Sequence, residues 1–209
     1  MQTLQRGVAR DTIQIRLPNG TYISGAIGTS LEDLFQFAVD DDALTLDAPL
    51  IAAVAEGKLR ELTYMPARDM DVTPITLAHS DGGRIYRRSL VLLMVVALDA
   101  LRDDSEVTVN YAVRDGGFYC EITNHAPLTE DDIRKLDAKM RELVAADLPI
   151  SKRSVSIDEA IALFGARGAT DKLRLLKDSK RETLTLYTLN GYDDYYFGYM
   201  VPSTRYLQT

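Results

Sequence analysis

The chain has 209 residues, 46% of them hydrophobic and 26% charged, with a net charge of −7. This ordinary globular composition suits one large or two small domains, and its acidity argues against broad non-specific nucleic-acid binding, which needs a surplus of Lys and Arg on one face. A single cysteine, Cys120, excludes an intrachain disulfide, and two histidines, His79 and His125, leave little for metal or acid–base chemistry.

No apolar run reaches the length of a membrane span, and residues 1–12 lack the apolar segment of a secretory signal. A cytoplasmic location is expected, with no membrane partner.

Thr12–Leu17 alternates, with Ile13, Ile15 and Leu17 on one face. Pro18-Asn19-Gly20 is a turn signal and Thr21–Ile23 resumes the strand, which predicts a β-hairpin. Ser30 is the expected N-cap of a helix burying Leu31, Leu34, Phe35 and Ala38, with Asp33 in its first turn. Short strands follow at Pro49–Ala53 and Leu59–Tyr64. Pro66–Pro74 reads as a linker, Ile75–Leu77 as the end of the first sheet, and Asp81-Gly82-Gly83 as a turn.

Arg84–Leu101 is the longest helix candidate, apolar almost all round from Leu90 to Leu98, so it is expected to be buried on most sides. Glu106–Val113 and Phe118–Thr123 form a predicted hairpin around Arg114-Asp115-Gly116-Gly117. Thr129, with Asp132 at the third helical position, opens a helix whose apolar face is Ile133, Leu136, Met140, Leu143 and Val144. Leu148-Pro149 ends it, and Val155 marks a short strand. Ser156-Ile157-Asp158-Glu159 is a capping box ahead of Ala160, Ile161, Leu163 and Phe164. Thr170–Lys177 is a short helix and Thr183–Leu189 a strand. Arg167, Lys172, Arg174, Lys177, Lys180 and Arg181 face only Asp171 and Asp178 in this stretch. A solvated face explains such a cluster better than RNA binding does in so acidic a chain.

The last notable stretch is Asp193-Asp194-Tyr195-Tyr196-Phe197-Gly198-Tyr199-Met200-Val201-Pro202-Ser203-Thr204. Its plain reading is an aromatic strand or hairpin tip in a core. It also resembles the end of the editing domain of threonyl-tRNA synthetases, typically Asp-Leu-Cys-Arg-Gly-Pro-His-Val-Pro-Ser-Thr. Asp194, Gly198 and Val201-Pro202-Ser203-Thr204 keep that frame, while the family's Cys falls on Tyr196 and its His on Met200. The same family carries Arg-His-Ser-x-x-His-Leu-Leu on its long helix. Arg87, Ser89 and Leu93 fit, but the two His positions are Arg88 and Leu92. Gly117-Phe118-Tyr119-Cys120-Glu121 is similar to the family's Gly-Phe-Tyr-Tyr-Asp, and the order of acidic helix, Leu-Pro, basic strand and Glu-Ala-x-x-Leu-Phe helix is shared. The opening strand, Pro-Asn-Gly turn, strand and helix are similar to a TGS domain, although an unrelated ubiquitin-like grasp also fits.

The fold implied is α+β: a TGS-like β-grasp domain with its linker over residues 1–78, then an editing-domain-like α+β domain over 79–209. All four positions that handle protons or metal in the family are replaced. Arginine stays protonated and leucine has no lone pair, so no catalytic residue and no metal ligand is assigned. A metal site from His79, Cys120 and His125 is less favoured than surface histidines and a packed cysteine. No Gly-x-x-x-x-Gly-Lys-Ser/Thr loop occurs, so no P-loop nucleotide site is expected.

The pairing of these two parts, with a Tyr-rich last motif, also resembles the N-terminus of bacterial uridine kinase/phosphoribulokinase-type nucleoside kinases. That resemblance implies a non-catalytic regulatory or ligand-binding module. It implies as partner the chain's own kinase domain beyond Thr209, which would carry ATP and Mg; the stretch in hand needs no cofactor. The candidate ligand cleft is lined by Arg88, Leu92, Tyr196, Tyr199 and Met200, one cation among aromatics, suited to an anionic small ligand or nucleotide. Alternatively Arg88 pairs with an acid such as Asp194 and the tyrosines fill the cleft. The alternative function is a divergent aminoacyl-tRNA editing hydrolase acting on Ser-tRNA(Thr).

Overall fold

Ile13 and Ile15 are buried and Thr12, Gln14 and Arg16 exposed, the alternation of a strand lying on a core. A computed structural model describes residues 10–102, 107–113, 117–122, 126–177 and 179–208. The chain divides into two compact units, Met1–Gly83 and Arg84–Thr209. It is an α+β protein, as its sequence pattern implies.

In the first unit, β1 (Thr12–Arg16) pairs antiparallel with β2 (Tyr22–Ala26). Gly20, at φ +87°, and the Leu17 N–H to Thr21 carbonyl bond at 2.8 Å shape the turn between them. Helix α1 (Leu31–Asp40) is capped by Ser30, whose hydroxyl accepts the Asp33 N–H at 3.1 Å, and it buries Leu31, Leu34, Phe35 and Ala38. It packs so closely on β2 that a Cβ at Gly25 would lie 2.8 Å from Leu34 Cδ2. β3 (Leu50–Ala55) and β4 (Lys58–Glu61) form a tight hairpin through Glu56 and Gly57, both at positive φ.

Two expectations are corrected here. The stretch Pro66–Pro74, expected as a linker, supplies most of β5 (Met70–Thr76), the middle strand of the sheet β2-β1-β5-β3-β4. Pro74 is tolerated because β5 pairs with β1 only at Met70 and Asp71, and has run past β1 by Pro74. The predicted Asp81-Gly82-Gly83 turn is the opening of helix α2 (Ser80–Leu101). Gly82 belongs there because a Cβ would sit 2.0 Å from the Thr76 carbonyl oxygen, a contact only glycine avoids.

In the second unit α2 continues with Leu92, Leu93, Val95, Val96, Ala97 and Leu98 all buried. β6 (Val107–Ala112) pairs with β7 (Phe118–Ile122) as a two-stranded sheet. The Arg114-Asp115-Gly116 part of its predicted turn lies outside the described residues, as does His125. Helix α3 (Glu130–Ala145) has the expected capping box between Thr129 and Asp132. Of its expected apolar face only Leu143 is fully buried, and Ile133 is exposed. β8 (Ser151–Ser156), α4 (Ile157–Ala166), α5 (Thr170–Lys177), β9 (Thr183–Leu189) and β10 (Tyr192–Tyr195) complete the unit. The last sheet runs β10-β9-β8, its hairpin turned by Asn190 and Gly191 at positive φ. Under it Val155, Ala160, Phe164, Leu176, Leu184 and Leu186 form the core.

Candidate functional site

Ser89 is a polar residue in the apolar middle of α2, and it is completely buried. Its hydroxyl donates to the Ile85 carbonyl at 2.9 Å and accepts the Val201 N–H at 3.1 Å. It also lies 3.4 Å from Met200 Sδ. This hydroxyl ties the chain after β10 to the helix.

One residue earlier, Arg88 Nη1 donates to the Tyr199 carbonyl at 2.8 Å. Gly198 has φ +108°, and a Cβ there would lie 2.8 Å from Arg88 Cζ and 2.9 Å from Nη1 and Nη2. The guanidinium therefore rests on bare backbone. Tyr187 of β9 is buried, and its hydroxyl donates to the Gly198 carbonyl at 3.0 Å. Three side chains thus grip the backbone from Gly198 to Val201. Further along, buried Thr204 donates to the Leu143 carbonyl at 2.6 Å and accepts the Leu148 N–H at 2.8 Å. The Val-Pro-Ser-Thr end is thereby tied to the end of α3.

Of the five candidate cleft residues, Arg88, Tyr199 and Met200 meet at this grip. Leu92, 0% exposed, lies one helical turn on in the core, and Met200 is 1% exposed. Tyr196 is half-buried and has other neighbours: Asp194, Tyr192 and Arg167. Burial first, then the Asp194 charge, pushes its phenol well above the ordinary value. Two cavities of this unit lie along α2, one at Met94 and Leu98 and one at Leu90 and Leu93.

Arg88 does not pair with Asp194. That carboxylate, 4% exposed, takes the Lys172 ammonium and accepts the Tyr195 N–H at 2.7 Å. Among the described residues no carboxylate pairs with Arg88. Loss of solvation, and secondarily its neighbour Arg84, lower its pKa, against the opposing influence of Tyr187. Lys152 of β8 stands 5.4 Å over the Tyr199 ring.

The basic cluster expected as a solvated face is in part committed to the aromatic motif. Arg167 stacks 3.8 Å over Tyr192 and donates to the Asp193 carbonyl. Arg181 stands 5.2 Å over Phe197, and Tyr195 meets Phe197 edge-on at 4.8 Å. Arg153 bridges Glu159 and Asp193. Burial works to raise the Asp193 carboxyl, but bonds from Thr188 and Arg153 outweigh it and hold the group below its ordinary value. Burial drives the Tyr192 phenol up to about 12. Nothing in the sequence paired these cations with particular rings; the hairpin brings them together.

Chemically, the grip offers a guanidinium, a hydroxyl already bonded twice, a thioether and phenols. It has no base near neutrality and no thiolate or imidazole ligand. Among the described residues no group of three His, Cys, Asp or Glu is placed to hold a metal. His79 accepts the Asp81 N–H at 3.1 Å at the opening of α2, and Cys120 on β7 has its thiol pKa raised by burial. Among the described residues no helix is long and apolar enough to cross a membrane.

No family model matches the chain. The chain is similar to threonine–tRNA ligases. It is 32% identical to that of Marinobacter nauticus over 195 residues, 93% of this chain and 30% of the relative. The Pelobacter propionicus enzyme is 32% identical over 197 residues, 92% of this chain and 30% of that protein. The threonine–tRNA ligase of a Geobacter species is 32% identical over 200 residues, 94% of this chain and again 30% of the relative. The chain thus spans about 30% of the length of the threonine–tRNA ligases it matches, and both units fall largely within the matched stretch.

Proposed function

We propose that the chain is a TGS-plus-editing module of the threonine–tRNA ligase type that binds an anionic ligand at Arg88 and does not hydrolyse it. The similarity to threonine–tRNA ligases over more than nine-tenths of the chain supports the scaffold. The anion rests on one observation. Arg88 is half-buried without a carboxylate, beside Arg84, while Lys152 approaches the tyrosine whose carbonyl Arg88 holds. A desolvated cation is unfavourable unless an anion joins it. A phosphate or the phosphate of a nucleotide supplies that charge and accepts the remaining guanidinium donors, with Tyr199 as an aromatic neighbour.

The second reading is a divergent aminoacyl-tRNA hydrolase acting on Ser-tRNA(Thr), favoured by the resemblance to an editing domain together with the similarity to threonine–tRNA ligases. Against it stand Arg88, Leu92, Tyr196 and Met200 where the editing family resembled here has its proton-handling and metal-holding groups. A uridine-kinase-type parent with ATP and Mg rests on the pairing of the two parts and the Tyr-rich motif. The relatives named above are ligases, so we leave the kinase out of the proposal.

The test is calorimetric titration with inorganic phosphate and AMP, using the whole chain and its Arg88→Gln variant. Binding that weakens by about tenfold or more in the variant supports the proposal. Equal binding by both removes Arg88 from it. Deacylation of Ser-tRNA(Thr) by the purified chain, lost on Tyr196→Phe or Arg88→Gln, would establish the hydrolase instead.

A further inference from the structure

The hairpin β6–β7 pairs with no other strand among the described residues. Val107, Cys120 and Ile122 on it are only half-buried. Met94 and Leu98 of α2 and Leu136 of α3 line the same space, with Pro127 and Leu128 at the entry to α3. Between them lies a cavity of about 570 Å³. Leu98 and Leu128 also line a smaller space of about 110 Å³ beside it. None of the Arg88 cluster lines either one.

The cavity opens to solvent beside the half-exposed hairpin, so an apolar molecule seated there would remove its apolar walls from water. Its volume lies within the range of small-molecule sites, and its walls are chiefly apolar. The charges around the smaller space have partners within the protein: Arg102 pairs with Asp132 at 2.6 Å and Lys135 with Asp131 at 2.7 Å. Glu121 accepts from Asn110 at 2.6 Å and from Tyr119 at 3.2 Å. An anion entering here would meet the Glu121 carboxylate and would lose its hydration.

We propose that this cavity is a binding site for an uncharged apolar small molecule, held between the hairpin and the two helices. Such a ligand covers Val107, Cys120 and Ile122 on one side and Met94, Leu98 and Leu136 on the other. The site is independent of the anion proposed at Arg88.

The experiment uses the whole chain and two fluorescent probes with the same ring system: uncharged N-phenylnaphthylamine and anionic anilinonaphthalene sulfonate. Saturable one-to-one binding of the uncharged probe is expected, with the sulfonate about tenfold weaker or more. Leu136→Trp, which fills the cavity, is expected to abolish binding. Cys120 is the only cysteine, so its alkylation by N-ethylmaleimide reports on the cavity without any variant, and a saturating uncharged probe should slow it. The proposal is overturned by absence of saturable binding, by equal or tighter binding of the sulfonate, or by alkylation that proceeds unchanged at saturation. Undiminished binding to a folded Leu136→Trp variant overturns it too.

Discussion

The Arg88 guanidinium lies against the backbone of Gly198, so closely that a Cβ at Gly198 would fall 2.8 Å from Arg88 Cζ. With its bond to the Tyr199 carbonyl, this contact holds the final motif to the long helix.

Gly198→Ala is expected to destabilise the second unit. The φ of +108° disfavours any side chain, and the new methyl group strikes the guanidinium. The cost is about 1–3 kcal/mol by urea denaturation. Adding Arg88→Ala should restore only the part due to the clash, since the backbone angle is unchanged. Full additivity of the two substitutions would show that the contact carries no energy.

Ser89→Ala removes the hydroxyl that accepts the Val201 N–H inside the core. A buried donor left without a partner costs about 1–3 kcal/mol. Amide exchange at Val201 should accelerate well beyond that of core strand β9. Protection of Val201 unchanged from wild type would refute the role given to this hydroxyl.

Acid should weaken the second unit in part through Asp193. Its carboxyl is held below the ordinary 3.8, so between the two values the unfolded chain binds the extra proton. The contribution is complete above about pH 5 and is lost as pH falls through 3.8 toward the folded value. Asp193→Asn should lower stability near neutrality and flatten the acid limb. Denaturation midpoints measured from pH 7 down to pH 3 check this, and a parallel pH profile for the variant would rule it out.

Much of the secondary structure was legible because its signals are local. Ser30, Thr129 and Ser156 cap their helices through their own hydroxyls, and Asn19-Gly20 turns the first hairpin. The misreadings arose where a distant contact overrides a local rule. Pro74 marks a linker by composition, yet it lies within the central strand β5. Gly82 marks a turn, yet it opens a helix because the Thr76 carbonyl leaves room for nothing larger.

By itself the sequence determined most of the elements and a resemblance to an editing scaffold, which implies that Arg88, Leu92, Tyr196 and Met200 replace that scaffold's reactive residues. Residue type and spacing carry that resemblance without any arrangement in space. Only the tertiary structure decided where the charges go: Lys172 to Asp194, Arg167 to Tyr192, and Arg88 to the carbonyl of Tyr199. Charged side chains choose partners by distance and solvation, and both are set only once strands and helices from remote parts of the chain have packed.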